Sequence, residues 1–196
     1  MKLQTLDVLV NINPGKSAWD KVSRWAIGPY NHVSLYLGKW EFSIYENKSV
    51  CFLHSDLITE SVGRGRLLHS LDDLYGQKVK VMRFKDAYLD AEYVRITLKK
   101  AINLSGKYDG WYGYDDIVRD IPARILNEKL GWRFPCRWVP DTRPICSEHV
   151  AEILTTPWMS ILAELPAGWI PVPGDFVRYS PYLYDAGVVI LGPEVV

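Results

Sequence analysis

The sequence predicts an α+β domain, and three observations carry that prediction. Residues 32–69 hold several short runs rich in β-branched and aromatic side chains, each bounded by glycine or charged turns. Residues 78–84, Lys-Val-Lys-Val-Met-Arg-Phe, alternate apolar and basic side chains as a half-exposed strand does. Residues 87–105 place Val94, Leu98, Ala101 and Ile102 on one helical face, with Asp86 positioned to cap the start and Gly106 to end it. A sheet with helices segregated around it is the α+β arrangement.

Taken in order, residues 6–12 read as a short strand stopped by the turn cluster Asn13-Pro14-Gly15. Residues 16–27 carry Ala18, Val22, Trp25 and Ala26 at helical spacing and end before Gly28-Pro29. Strands are then expected at 32–37, 42–45, 50–53, 57–61, 66–69 and 78–84. After the 87–105 helix comes a glycine-aromatic loop at 108–114, then a helix at 115–130 that Pro122 either kinks or splits. Residues 131–144 read as irregular, a helix begins near Cys146, and the tail returns to Pro-Gly turns and a short strand near 187–191. No repeat, linker or low-complexity tract interrupts the 196 residues, so residues 1–196 are expected to form one domain.

Composition narrows the function. Lys+Arg and Asp+Glu balance at 23 each, so neither nucleic acid nor an anionic surface is an expected partner. Three cysteines leave at least one thiol unpaired, and with four histidines they show no C-x-x-C or H-x-x-x-H spacing. A structural zinc site is therefore not expected, and no cofactor is called for. The first residues lack the apolar core and cleavage site of a signal peptide, and no apolar run reaches transmembrane length. The expectation is a soluble protein of a reducing compartment, the cytoplasm.

Cys146 follows a proline-rich loop and opens the apolar run Val150, Ile153, Leu154, which puts its thiol in the first turn of a helix. Backbone N–H groups and the positive end of the helix dipole favour thiolate there. By pattern alone Cys146 reads first as a core thiol, since it shares a helical stripe with Val150 and Ile153. Cys51, within an apolar run, reads as core, and Cys136 as a loop cysteine without an evident partner. His32 shares a strand face with Ser34 and Tyr36, opposite Val33, Leu35 and Leu37, and that polar face would suit the border of a cleft. His54 and His69 compete for the same role, while His149, three residues after Cys146, points along its own helix rather than across a cleft. Glu60, at the end of an apolar run, reads either as a solvated strand-end carboxylate or as a group that orients an imidazole.

Taken together, His32-Val33-Ser34-Leu35-Tyr36-Leu37-Gly38, Ile58-Thr59-Glu60-Ser61, Tyr108-Asp109 and Ile145-Cys146-Ser147-Glu148 resemble the circularly permuted branch of the NlpC/P60 papain-like cysteine peptidase superfamily. The likeness is greatest to its YiiX/YebB-type members, whose pattern is an early Gly-Asp strand, H-x-x-x-Y-x-G, a strand-borne Glu and a late Y-C-S-E-L. It spans most of the chain and includes the late Pro173-Gly174-Asp175; Leu6-Asp7 stands in place of Gly-Asp, and Ile145 in place of tyrosine. Cys146-Ser147-Glu148-His149-Val150 also resembles a segment of the lecithin:retinol acyltransferase-like branch. The resemblance implies a permuted papain-like fold, an antiparallel, partly barrelled sheet packed against helices. It also implies a catalytic triad of Cys146 as nucleophile, His32 as base and Glu60 as orienter, with Tyr108 or Tyr112 as candidate oxyanion donors. The implied activity is that of a thiol protease or amidase on peptides or peptidoglycan stems. A thioesterase or acyltransferase acting on acyl lipids, and an inactive binding module, are the alternatives.

Overall fold

The computed structural model describes residues 1–46, 49–63, 65–105, 114–131 and 144–195. Its strands are β1 Val8–Ile12, β2 Tyr30–Glu46, β3 Ser49–Val62, β4 Gly65–Ser70, β5 Lys78–Phe84 and β6 Leu183–Ile190. They form one antiparallel sheet in the order β4-β3-β2-β1-β5-β6, whose two edges do not meet, so the sheet is open. The helices are α1 Ala18–Ile27, α2 Ala91–Leu104, α3 Tyr114–Leu130, α4 Cys146–Leu154 and α5 Asp175–Arg178. The α+β expectation holds. Among the described residues no helix is long and apolar enough to cross a membrane.

Each face of the sheet carries a core, and the near-continuous apolar run in β1 follows from that. Val8 and Val10 pack with Val33, Leu35 and Leu37 against Cys146, Val150, Ile153 and Leu154 of α4. Leu9 packs on the other face with Tyr36, Ile58, Val79 and Val81, beneath Leu71 and Leu74. A strand covered on both sides has no solvent face on which to place polar residues. Each fully buried aliphatic side chain there contributes roughly 1.5–3 kcal/mol of transfer free energy.

Helix α2 backs α4 from outside. Tyr93 Oη donates to Leu154 O at 2.7 Å, and Lys100 Nζ donates to Thr155 O at 3.0 Å and to Glu152 O. The ammonium thereby meets carbonyls left over at the negative end of the α4 dipole.

Several boundaries differ from expectation. The strands expected at 32–37 and 42–45 are one strand, β2, because Gly38 adopts φ 95° and absorbs a register slip between Tyr36 and Gly38 instead of turning the chain. A Cβ on Gly38 would also lie 2.6 Å from Thr5 Oγ1, so glycine is required twice over. The runs at 50–53 and 57–61 join as β3, since the polar His54-Ser55-Asp56 pairs with Lys39–Glu41 across the hairpin. Asp90, not Asp86, caps α2, accepting the Tyr93 N–H at 2.6 Å, while Asp86 opens a 3-10 turn. Pro122 lies inside an unbroken α3. Leu6, standing where the resembled pattern has glycine, takes φ 70° although its side chain is only 1 % exposed. Full burial of that side chain offsets a backbone penalty of about 1–2 kcal/mol.

Helix α3 is tied to the C-terminal segment by a buried ion pair. Arg124 reaches both oxygens of Asp175 at 2.5 and 2.6 Å and donates to Ile170 O at 2.6 Å, with its guanidinium 4.9 Å from the Trp169 ring centroid. Asp175, the last residue of the Pro-Gly-Asp sequence, also accepts the Val172 N–H at 2.8 Å. Arg124→Ala leaves that carboxylate buried without its cation, and a loss of about 3–5 kcal/mol is expected, read from the urea midpoint. Arg124→Lys recovers little of it, because an ammonium cannot match the two-pronged contact.

Candidate active site

Strands β2 and β3 run antiparallel with Leu35 opposite Thr59, so His32 and Ser34 share a face with Glu60. His32 Nε2 lies 2.6 Å from Glu60 Oε2, and Ser34 Oγ donates to the same oxygen at 3.2 Å. The polar face expected to border a cleft is instead mostly covered. Ser34 and Tyr36 are buried, Tyr36 Oη donating to Asp56, and His32 at the strand end keeps 21 % of its side chain exposed.

Cys146 is the first residue of α4 and belongs to the core against β1 and β2, yet it also hydrogen-bonds to His32. Cys146 is thus at once a core side chain and a partner of His32. With Nε2 engaged by Glu60, the remaining ring nitrogen, Nδ1, is the one left for the thiol. The helix start is fixed from three sides. Glu148 accepts the Ile145 N–H at 2.8 Å, Ser61 Oγ donates to Pro144 O at 2.6 Å, and Ser147 Oγ donates to Pro171 O at 2.7 Å. Ile145 has no side-chain oxygen, so Glu148 alone supplies the side-chain cap.

Electrostatics follow the line Cys146–His32–Glu60. Burial works against a charged His32, but the Cys146 charge and hydrogen bond, then Glu60, outweigh it and hold the imidazole up at about 10. Burial likewise works against the Glu60 carboxylate, and the hydrogen bonds from His32 and from His69 reverse this, holding it down at about 2. His69 Nε2 lies 3.0 Å from Glu60 Oε1, so the carboxylate is shared by two imidazoles, one on each oxygen.

No protein-family model and no curated protein matches the sequence. Among solved structures, "Crystal structure of metalloprotein yiiX from Escherichia coli O157:H7, DUF1105" matches over 95 % of this chain and 98 % of that one, with TM-score 0.56 and 17 % identity. The chain shares the fold of yiiX. At that identity the likeness speaks for the fold and not for the chemistry.

Within this yiiX-like fold the structure brings together Cys146, His32 and Glu60 and adds two residues that the sequence did not single out as partners, His69 and Ser34. Tyr108, Tyr112 and Cys136 lie outside the described residues. Among the described residues a cavity of about 330 Å3 lies along the C-terminal half of α4, lined by Glu152, Thr155, Leu165, Trp169 and Pro171 among others. None of Cys146, His32 and Glu60 lines it.

His149 is turned away from the line, as its place on the helix implies. Its Nε2 lies 2.8 Å from Thr59 Oγ1, which is 2.6 Å from Ser105 Oγ, and Nδ1 is buried without a partner among the described residues. A proton on Nε2 lets the ring donate to Thr59 and Thr59 donate on to Ser105. Burial, followed by the charge of Arg66, pushes His149 down to about 3. The folded state therefore refuses a proton that the unfolded chain takes up near pH 6.5, so stability is full above that pH and is lost as pH falls toward 3. Between pH 6.5 and 4.5 the raised histidines His32 and His69 are protonated in both states, and Glu60 does not yet titrate. In that window His149 contributes a slope of about 1.4 kcal/mol per pH unit, and His149→Gln removes that contribution in urea titrations.

Proposed function

We propose that the protein is a cysteine hydrolase that cleaves amide bonds of peptide or peptidoglycan-stem type. The observation that carries the reading is His32 held between the Cys146 thiol and the Glu60 carboxylate. Cys146 attacks the carbonyl carbon as thiolate, and His32 carries the thiol proton. The tetrahedral oxyanion is met by the backbone N–H of Cys146 at the start of α4. Collapse breaks the C–N bond as His32 protonates the leaving amine, and a water deprotonated by His32 then hydrolyses the thioester and regenerates the pair. Glu60 keeps the ring oriented and stabilises its charge through both halves.

The neighbour yiiX is described as a metalloprotein. Among the described residues no group of three or more His, Cys, Asp and Glu side chains is arranged to hold a metal ion. The oxygens of Glu60 are already engaged by His32, Ser34 and His69. These residues do not fit a metal site.

The test is turnover by the purified protein of γ-glutamyl stem peptides and, in parallel, of acyl esters and thioesters, with Cys146→Ala as control. Amide cleavage that disappears in Cys146→Ala is the expected result. Ester turnover without amide turnover would redirect the site to acyl lipids. No turnover of either, together with an unreactive Cys146 at pH 5, would overturn the enzyme reading.

A further inference from the structure

Glu60 is unusual for a carboxylate that orients a single histidine, because its second oxygen is also occupied. Glu60 and His69 lie on one face of the β3–β4 hairpin, since His69 pairs with Ile58 and Glu60 with Leu67. His69 Nε2 meets Glu60 Oε1 at 3.0 Å, and its Nδ1 meets Asp73 Oδ2 at 2.7 Å, from the 3-10 turn Leu71–Leu74. Carboxylate oxygens only accept when ionised, so an imidazole with both nitrogens against carboxylates carries a proton on each. His69 is then a cation, set on the solvent side of Glu60 with 20 % of its side chain exposed.

We propose that His69 is a positioning residue that fixes the Glu60 carboxylate and, through its charge, sets the pH window in which the Cys146–His32 pair is reactive. This inference rests on the thiol–imidazole reading and deepens it by assigning the control of that site. The groups facing His69 are Glu60 of β3 and Asp73 of the turn. Beyond Glu60 stand His32 of β2, and Cys146 and His149 of α4; Arg66, on its own strand, is paired with Glu152 at 3.0 Å. The preference for a charged His69 comes first from the Glu60 hydrogen bond and runs against burial, with Asp73 adding to it. A cation beside these groups lowers the pKa of each neighbour, the Cys146 thiol and the His32 imidazole alike. Removing it therefore slides both limbs of the reactivity profile toward alkaline pH.

The experiment is the pH profile of Cys146 alkylation by iodoacetamide, read by peptide mass spectrometry, in the wild type, His69→Ala and His69→Gln. Wild type is expected to react well below pH 8; both variants shift their acid limb upward by about one pH unit, a tenfold slower reaction at a fixed pH on that limb. Glutamine still donates an N–H to Glu60, so it keeps the plateau rate that alanine lowers. Side-chain nitrogen NMR of the wild type is the check that survives a poorly folding variant. It should show His69 protonated on both nitrogens at pH 7 and His32 resonances moving as His69 titrates. A reactive wild type whose profile superimposes on both variants, or a His69 that titrates without disturbing His32, overturns this inference and leaves the hydrolase reading standing. An unreactive wild-type Cys146 overturns both.

Discussion

Cys146→Ala is expected to lower amide turnover by roughly ten-thousand-fold or more while leaving the fold in place, because the proposed nucleophile has no substitute within the cluster. The structural cost is small. Alanine is the best helix former, and a single sulfur atom is removed from the start of α4, so about 1–2 kcal/mol is lost. The substitution also has a signature that does not depend on substrate. Cys146 contributes the largest of the influences that raise His32, so without it the imidazole falls back from about 10. A histidine titration of the Cys146→Ala protein by NMR reads that fall directly. An unchanged His32 would show that thiol and ring do not communicate.

Glu60→Gln should be almost as damaging to turnover, by about a thousand-fold, for a different reason. The amide has one accepting oxygen and one donating nitrogen, so it cannot accept from His32 on one side and His69 on the other. One imidazole faces an N–H, and the carboxylate's share in holding His32 protonated, second to that of Cys146, is gone. The His32 titration, followed by NMR, then moves down. The stability consequence has a defined pH window. Glu60 is held at about 2 against an ordinary 4.5, so its contribution is present above pH 4.5 and is lost as pH falls through 2. The variant is accordingly less stable than wild type near neutrality, on the order of 3 kcal/mol, and the difference closes below pH 4.5. Parallel denaturation at pH 7 and pH 2.5 measures it; a gap undiminished at the lower pH contradicts the account.

The sheet was legible in the residue pattern, whereas Cys146, His32 and Glu60 were singled out by the family resemblance, the pattern alone leaving each of them open. Strand alternation exposed the faces of β2 and β5, and the apolar stripe after Cys146 gave away the start of α4. The length of β2 was hidden by Gly38, which reads as a turn in sequence and acts as a bulge in three dimensions. His69 was seen as a rival base rather than a partner of Glu60. The clue was the Gly63 and Gly65 pair, which fixes the β3–β4 turn and so puts residue 69 on the face of residue 60. The pinning of α4 by Ser61 and Ser147 could not be read at all, since each hydroxyl finds a backbone carbonyl whose position depends on tertiary packing. Asp86 was the expected cap, and the 3-10 turn Asp86–Tyr88 moves the helix start on to Asp90.

The placement of the thiol also sets an order of events. His32 and Glu60 come from neighbouring strands only 28 residues apart, joined by a local hairpin, whereas Cys146 arrives on a late segment that must close a long loop before it can dock. The carboxylate and the imidazole can thus be in register while the thiol is still far from its base. The thiol is thus expected to join its pair late, and a chain stalled before α4 docks would hold the imidazole and the carboxylate in register with Cys146 still apart from them. Recovery of thiol reactivity on refolding should trail recovery of β-sheet signal, timing the arrival of one helix.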